Sequence, residues 1–152
     1  ASVLDGFDIV YVARAATKRI MTISLSVGTR LPAHATSMGR VLLAAVQDDR
    51  LDAYLDAATL APLTERTIVD RVRLRAEVEK TRTRGWCLVD QELEDGVRSI
   101  AVPIHDAAGK VVAAVNTSAH ATRVPLTTLQ KSFLPKLRDC AAAIDAELRA
   151  VR

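Results

Sequence analysis

The apolar positions change period twice along the chain. In "VLDGFDIVYVARAA" two apolar stretches flank Asp5-Gly6, which predicts a hairpin because glycine enters a positive-φ turn without a steric penalty. "RIMTISLSV" reads as the next strand. From Ser37 the spacing becomes helical: Met38, Val41, Leu42 and Ala45 share a face, with Thr36 or Ser37 as the N-cap of a helix reaching about Val46. "DDRLDAYLDAA" predicts a second helix, "PLTERTIV" a connector, and Asp70 the cap of a third helix that ends at Gly85. Strand patterns return in "WCLVDQE", "VRSIAVPI" and "KVVAAVNTSA", the last two joined by the turn-rich "HDAAG". Leu126, Leu129, Phe133, Leu137, Cys140, Ile144, Leu148 and Val151 then recur every three or four residues, a long amphipathic helix that Pro135 is expected to kink or break. Strands, helices, strands and a helix in that order predict an α+β fold with helices on the faces of a sheet.

Composition narrows the class. At 152 residues and 49% hydrophobic, the chain supports one core and a single domain over 1–152. Cys87 and Cys140 stand far apart with no CxxC or His/Cys spacing near either, so neither a zinc site nor a disulfide framework is expected, and no cofactor is implied. A reducing cytoplasm is the expected setting. No apolar run approaches the roughly 18 residues of a membrane span, and the start lacks a signal peptide's basic region and apolar core. Because the chain opens one residue into a hairpin, it is expected to be a fragment of a longer protein. The net charge of +3 comes from basic residues interleaved with 18 acids, which describes a mixed surface rather than a nucleic-acid patch. The densest basic stretch, "DRVRLRAEVEKTRTRG", has no second helix at helix-turn-helix spacing, and five aromatic residues give no stacking platform.

Small polar residues interrupt the last strands. One period-2 face of "VVAAVNTSA" carries Val112, Ala114, Asn116 and Ser118, and one face of "VRSIAVPI" carries Val97, Ser99, Ala101 and Pro103. A buried hydroxyl or amide without a partner costs about 1–3 kcal/mol, so these groups bond either to local backbone or to something brought in from outside. Asp90 and Glu92 share a face of the neighbouring strand by the same period, as solvated acids or as the lining of a concavity. The helix start at Ser37 to Gly39 offers free N–H groups and the positive end of the helix dipole, which favour an anion. Arg14 shares a strand face with Val10 and Val12 and is either drawn inward or exposed. His34 and Ser37 stand three apart without a nucleophile elbow or an orienting acid, so His34 reads as a wall residue and no catalytic residue is assigned.

These blocks resemble a known family. "VGTRLPAHATSMGRVLLA", "RTRGWCLVDQELEDGVRSIAVPIHDAAGKVVAAVNTSA" and the terminal helix are similar, in the right order over nearly the whole chain, to the C-terminal effector-binding domain of IclR-type bacterial transcription regulators. "YVARAATKRIM" and "RLPAHATSMGRVLLA" resemble more narrowly the PcaR/PcaU/PobR branch, which regulates the β-ketoadipate pathway and aromatic-acid catabolism. The resemblance implies a GAF-like curved antiparallel sheet with helices on its faces, and an N-terminal winged helix-turn-helix that is absent here and alone would touch DNA. It implies a homodimer or tetramer and no membrane partner. It also implies a small organic acid, such as protocatechuate, 4-hydroxybenzoate or β-ketoadipate, held by backbone groups at Ser37 and Met38 and by Asp90, Ser99, Asn116 and Ser118. Arg14 and His34 complete the candidate set. Where some relatives have Gly-Ala at the helix start this chain has Ser37-Met38, and where some have cysteine it has Ser99, so the acid need not be the same. Two alternatives stand beside the sensor: an enzyme acting on small acids through His34, Ser37 or Asp90, and an oligomerisation module without a ligand.

Overall fold

A computed structural model describes residues 1–15 and 24–151. Strands β1 (Ser2–Asp5) and β2 (Asp8–Tyr11) form the expected hairpin, with Asp5 opposite Asp8 and Gly6 at φ 61. The strand expected in "RIMTISLSV" lies outside the described residues over 19–23, and 24–27 are not strand; β3 is the later Arg30–Pro32, paired with β2. A 3-10 turn, Ala33–Ala35, leads into α1 (Ser37–Ala45), and Thr36, not Ser37, is its cap: the Thr36 hydroxyl accepts from the Gly39 N–H at 3.1 Å. Next come α2 (Asp48–Ala57) and α3 (Arg71–Arg84), the latter capped by Asp70 and ended by Gly85 in the left-handed region at φ 77. Strands β4 (Cys87–Asp90), β5 (Val97–His105) and β6 (Val111–His120) complete a six-stranded sheet in the order β3-β2-β1-β6-β5-β4, antiparallel throughout.

The terminal helix does not break at Pro135. It runs as α4 (Leu126–Thr128), a π-helical segment (Leu129–Phe133) and α5 (Leu134–Ala150). Pro135 brings no N–H to the ladder, and the wider turn just before it is where the helix absorbs that missing bond.

Two apolar layers sandwich the sheet. On one face Ile9, Tyr11, Leu31, Cys87, Val89, Ala101 and Ala114 pack against Met38, Leu42 and Leu43 of α1, Leu51 and Leu55 of α2, and Leu74 and Val78 of α3. On the other, Ile100, Val102 and Ala119 meet Leu129, Leu134, Leu137 and Ala141. The alternation along β5 feeds both layers, as a strand covered on both faces requires. Each fully buried Leu or Ile here contributes about 1.5–3 kcal/mol. Among the described residues no helix is long and apolar enough to cross a membrane.

Candidate functional site

The first turn of α1 stands over the sheet and closes a cavity. Its lining is Tyr11 and Leu31 from β2 and β3, Ala35 from the 3-10 turn, Thr36, Ser37 and Met38 from the helix start, Val89 from β4 and Leu93 just after it, Val97 and Ser99 from β5, and Asn116 and Ser118 from β6. The space open to the centre of a water molecule is only about 20 Å³, room for roughly one water.

The helix comes this close because of Gly39. A β-carbon there would lie 2.1 Å from the Ala33 carbonyl oxygen and 2.5 Å from the Ala33 α-carbon, so only glycine lets α1 seat on the 3-10 turn. Of the first-turn N–H groups, Gly39 donates to the Thr36 hydroxyl and Arg40 to the Thr36 carbonyl. Those of Ser37 and Met38 have no capping acceptor among the described residues. The Ser37 and Ser99 hydroxyls meet at 2.7 Å across the cavity, and the Asn116 amide donates to the Ser118 hydroxyl at 3.4 Å. Ser99 faces Ser118 and Ala101 faces Asn116 in the β5–β6 register, so the small polar residues flagged by strand period form one patch. No lining side chain is charged, and burial holds the Tyr11 phenol above its ordinary pKa, so it stays neutral. An anion entering here meets N–H groups, hydroxyls and an amide in an apolar frame, with no ion-pair partner.

Behind the helix start lies an ion pair that sequence reasoning missed. Arg40, 1% exposed, makes a two-pronged contact with Glu92, Nη1 to Oε1 at 2.9 Å and Nη2 to Oε2 at 2.5 Å, and its Nε donates to the His34 carbonyl at 2.9 Å. Glu92 also accepts from the Ile68 N–H at 3.1 Å, while its carbonyl takes the Thr67 hydroxyl at 2.6 Å. Burial works against the Arg40 charge, but the Glu92 hydrogen bonds, aided by Cys87 and Glu77, outweigh it and raise the guanidinium pKa. One cluster thus ties α1, the 3-10 turn and the loops before α3 and after β4. The signal was present: a lone arginine inside the apolar run "MGRVLLA" demands a buried acid.

Three expected site residues lie elsewhere. Asp90 does not share a face with Glu92, because Gln91 sits in the left-handed region at φ 60 and cancels the strand period. Asp90 instead accepts from Arg98 Nε at 2.6 Å, on the face that packs against the terminal helix, and does not line the cavity. Arg14 follows the end of β2, is exposed, and donates to the Leu25 carbonyl at 2.5 Å; the inward residues are Ile9 and Tyr11, so the reading that grouped Arg14 with Val10 and Val12 followed the wrong face. His34 is buried behind the cavity rather than in its wall, with Nε2 3.2 Å from the Ala61 carbonyl. Burial lowers its pKa, so the ring is neutral near pH 7. His34, Ser37 and Asp90 therefore never converge into a catalytic set.

The comparisons with known proteins agree with this geometry. The family of the bacterial transcriptional regulator IclR C-terminal region matches residues 1–146. The chain is 54% identical to the Pca regulon regulatory protein of Pseudomonas putida over 135 residues, 88% of this chain and 46% of that protein. Among solved structures it is similar to a putative transcriptional regulator from Rhodococcus sp. RHA1, with TM-score 0.94 and 53% identity, covering 99% of this chain and 61% of that one. It is also similar to a double mutant of the PobR inducer-binding domain in complex with 3-hydroxybenzoic acid, from Acinetobacter, with TM-score 0.85 and 36% identity over 97% and 85% of the two chains. The chain spans about half the length of the curated relatives it matches. Sheet order, helix placement, the cavity and these matches together show that the chain belongs to the IclR C-terminal family of bacterial transcription regulators, as its effector-binding domain.

Proposed function

We propose that this domain binds a small aromatic carboxylic acid in the cavity under α1, and that the longer protein uses this to control a DNA-binding segment. The observation that carries the proposal is the meeting, within one apolar enclosure, of the Ser37 and Met38 N–H groups with Ser37, Ser99, Asn116 and Ser118. A carboxylate accepts from the helix start, where the dipole favours it, and a ring suits walls made of Tyr11, Leu31, Met38, Val89, Leu93 and Val97. Micromolar affinity needs about 8 kcal/mol, within reach of a few charge-assisted hydrogen bonds and a buried ring. The PobR relative bound to 3-hydroxybenzoic acid supports an aromatic ligand. The ligand biases a conformational equilibrium by touching α1, whose C-terminal end is held by Arg82 through the Ala44 and Val46 carbonyls. A homodimer or tetramer, with the winged helix-turn-helix outside this chain, completes the proposal.

Calorimetric titration with 4-hydroxybenzoate, protocatechuate and β-ketoadipate tests it. Ser118→Ala and Asn116→Ala are each expected to weaken binding about tenfold while leaving the urea midpoint within error, since both residues are only partly buried. Wild-type affinity in both variants, or no heat with any acid, refutes it.

A further inference from the structure

We propose that the Met38 thioether, which lines the cavity, and the Ser2 hydroxyl buried behind it form a displaceable pair, and that a single-ring aromatic acid seats its ring in place of the thioether and sets a ring hydroxyl on Ser2. The proposal rests on the reading of the cavity as an effector site and adds the selectivity of that site.

Ser2 is fully buried on β1, where that strand meets β6 opposite Ala114, two residues from Asn116. Its hydroxyl donates to Met38 Sδ at 3.3 Å. A thioether is a weak acceptor, and buried hydroxyls ordinarily find oxygen or nitrogen, so this group sits in the free protein with less than its full hydrogen-bonding capacity. The other partner is the adaptable one. Met38 is 1% exposed and lines the cavity with an unbranched side chain, whereas Tyr11, Leu31, Val89 and Val97 stand on strands or beside them and Ala35 has nothing to move. With room for about one water, the cavity cannot take a ring unless a wall gives way; Met38 and the loop residue Leu93 are the apolar walls free to shift, and Met38 is the one bonded to Ser2.

Direction follows from where Met38 begins and ends. Its backbone belongs to the helix turn that would hold the carboxylate, and its sulfur reaches Ser2. A ring that replaces it while its carboxylate stays at that turn runs along the same path and brings its far edge to the Ser2 hydroxyl. The thioether resettles against the ring edge, a contact sulfur favours. A ring hydroxyl then gives Ser2 the oxygen partner it lacks. A site that hydrogen-bonds a ligand hydroxyl discriminates against the analogue without it far more sharply than an apolar pocket discriminates by size.

The experiment is calorimetry of benzoate, 3-hydroxybenzoate and 4-hydroxybenzoate against the wild-type domain, Ser2→Ala and Met38→Leu. The wild type is expected to prefer one hydroxybenzoate over benzoate by about tenfold; Ser2→Ala brings that ratio near one while benzoate affinity changes less than threefold. Met38→Leu keeps the bulk and removes the acceptor, so the ratio holds or widens. A ratio that survives Ser2→Ala, equal loss for all three acids, or a ratio that collapses in Met38→Leu overturns the pair while leaving the effector site standing. Failure of the wild type to bind any of the three acids overturns the effector-site reading itself, and this inference with it.

Discussion

Removing the carboxylate of Glu92 is the sharpest test of how the candidate site is held. In Glu92→Ala, Arg40 keeps its charge at 1% exposure but loses both carboxylate contacts, and the Ile68 N–H loses its acceptor. Breaking one side of a buried pair leaves an uncompensated charge and costs about 3–5 kcal/mol, well above the 0–1 kcal/mol of a surface pair. Glu92 is 11% exposed at its side chain, so solvent screens little of this. For a chain of this length each kcal/mol moves the melting temperature by about 2–4 °C, which gives a fall of roughly 6–20 °C. Urea unfolding followed by circular dichroism measures the loss directly, provided the slope with denaturant stays constant. The companion variant, Arg40→Met with Glu92→Leu, removes both charges and is expected to recover part of the loss, because an apolar pair of similar volume pays no desolvation while the Ile68 N–H and the His34 carbonyl still lose their partners. A Glu92→Ala cost under about 1 kcal/mol, or a double variant no more stable than the single, refutes the reasoning.

Three further outcomes are expected. Gly39→Ala drives a methyl into the Ala33 backbone and costs about 1–3 kcal/mol despite alanine's better helix propensity, with weaker acid binding because the turn and α1 must separate; unchanged stability in urea would contradict the contact. His34 has a folded pKa below its ordinary 6.5, so the native state binds fewer protons than the unfolded chain there; its contribution is present above pH 6.5 and is lost as pH falls toward the folded pKa. In His34→Gln the urea midpoint should therefore fall less steeply between pH 7 and pH 5 than in the wild type, and an identical slope counts against the assignment. Asp90→Asn weakens the Arg98 contact on the far face and is expected to leave acid affinity within twofold by calorimetry; a tenfold loss would return Asp90 to the site.

Local signals survived folding wherever a short-range physical rule governs. Gly6 turned its hairpin, Thr36 and Asp70 capped α1 and α3, Gly85 ended α3, and the period-2 face holding Ser99, Asn116 and Ser118 stayed on one side of the sheet, because each depends on a few neighbouring dihedrals. The period rule failed at Asp90 and Glu92 for the same kind of reason inverted: one left-handed residue, Gln91, reverses the alternation, and no glycine or asparagine marked the place. Arg14 and His34 went astray because which strand face is buried, and which carbonyl satisfies a ring nitrogen, depend on segments distant in sequence, Leu25 and Ala61.

By itself, then, the sequence determined the first hairpin, the helices, the last three strands, the family and the polar patch on β5 and β6, since periodicity, caps and contiguous motifs are written in adjacent residues. Only the tertiary structure decided that Arg40 meets Glu92, that Gly39 is the contact point for Ala33, and that the Ser2 hydroxyl ends on the Met38 sulfur. These contacts join residues far apart in the chain or depend on how two elements approach, and buried charge, volume and unsatisfied polar groups acquire an energy only once the fold has removed them from water.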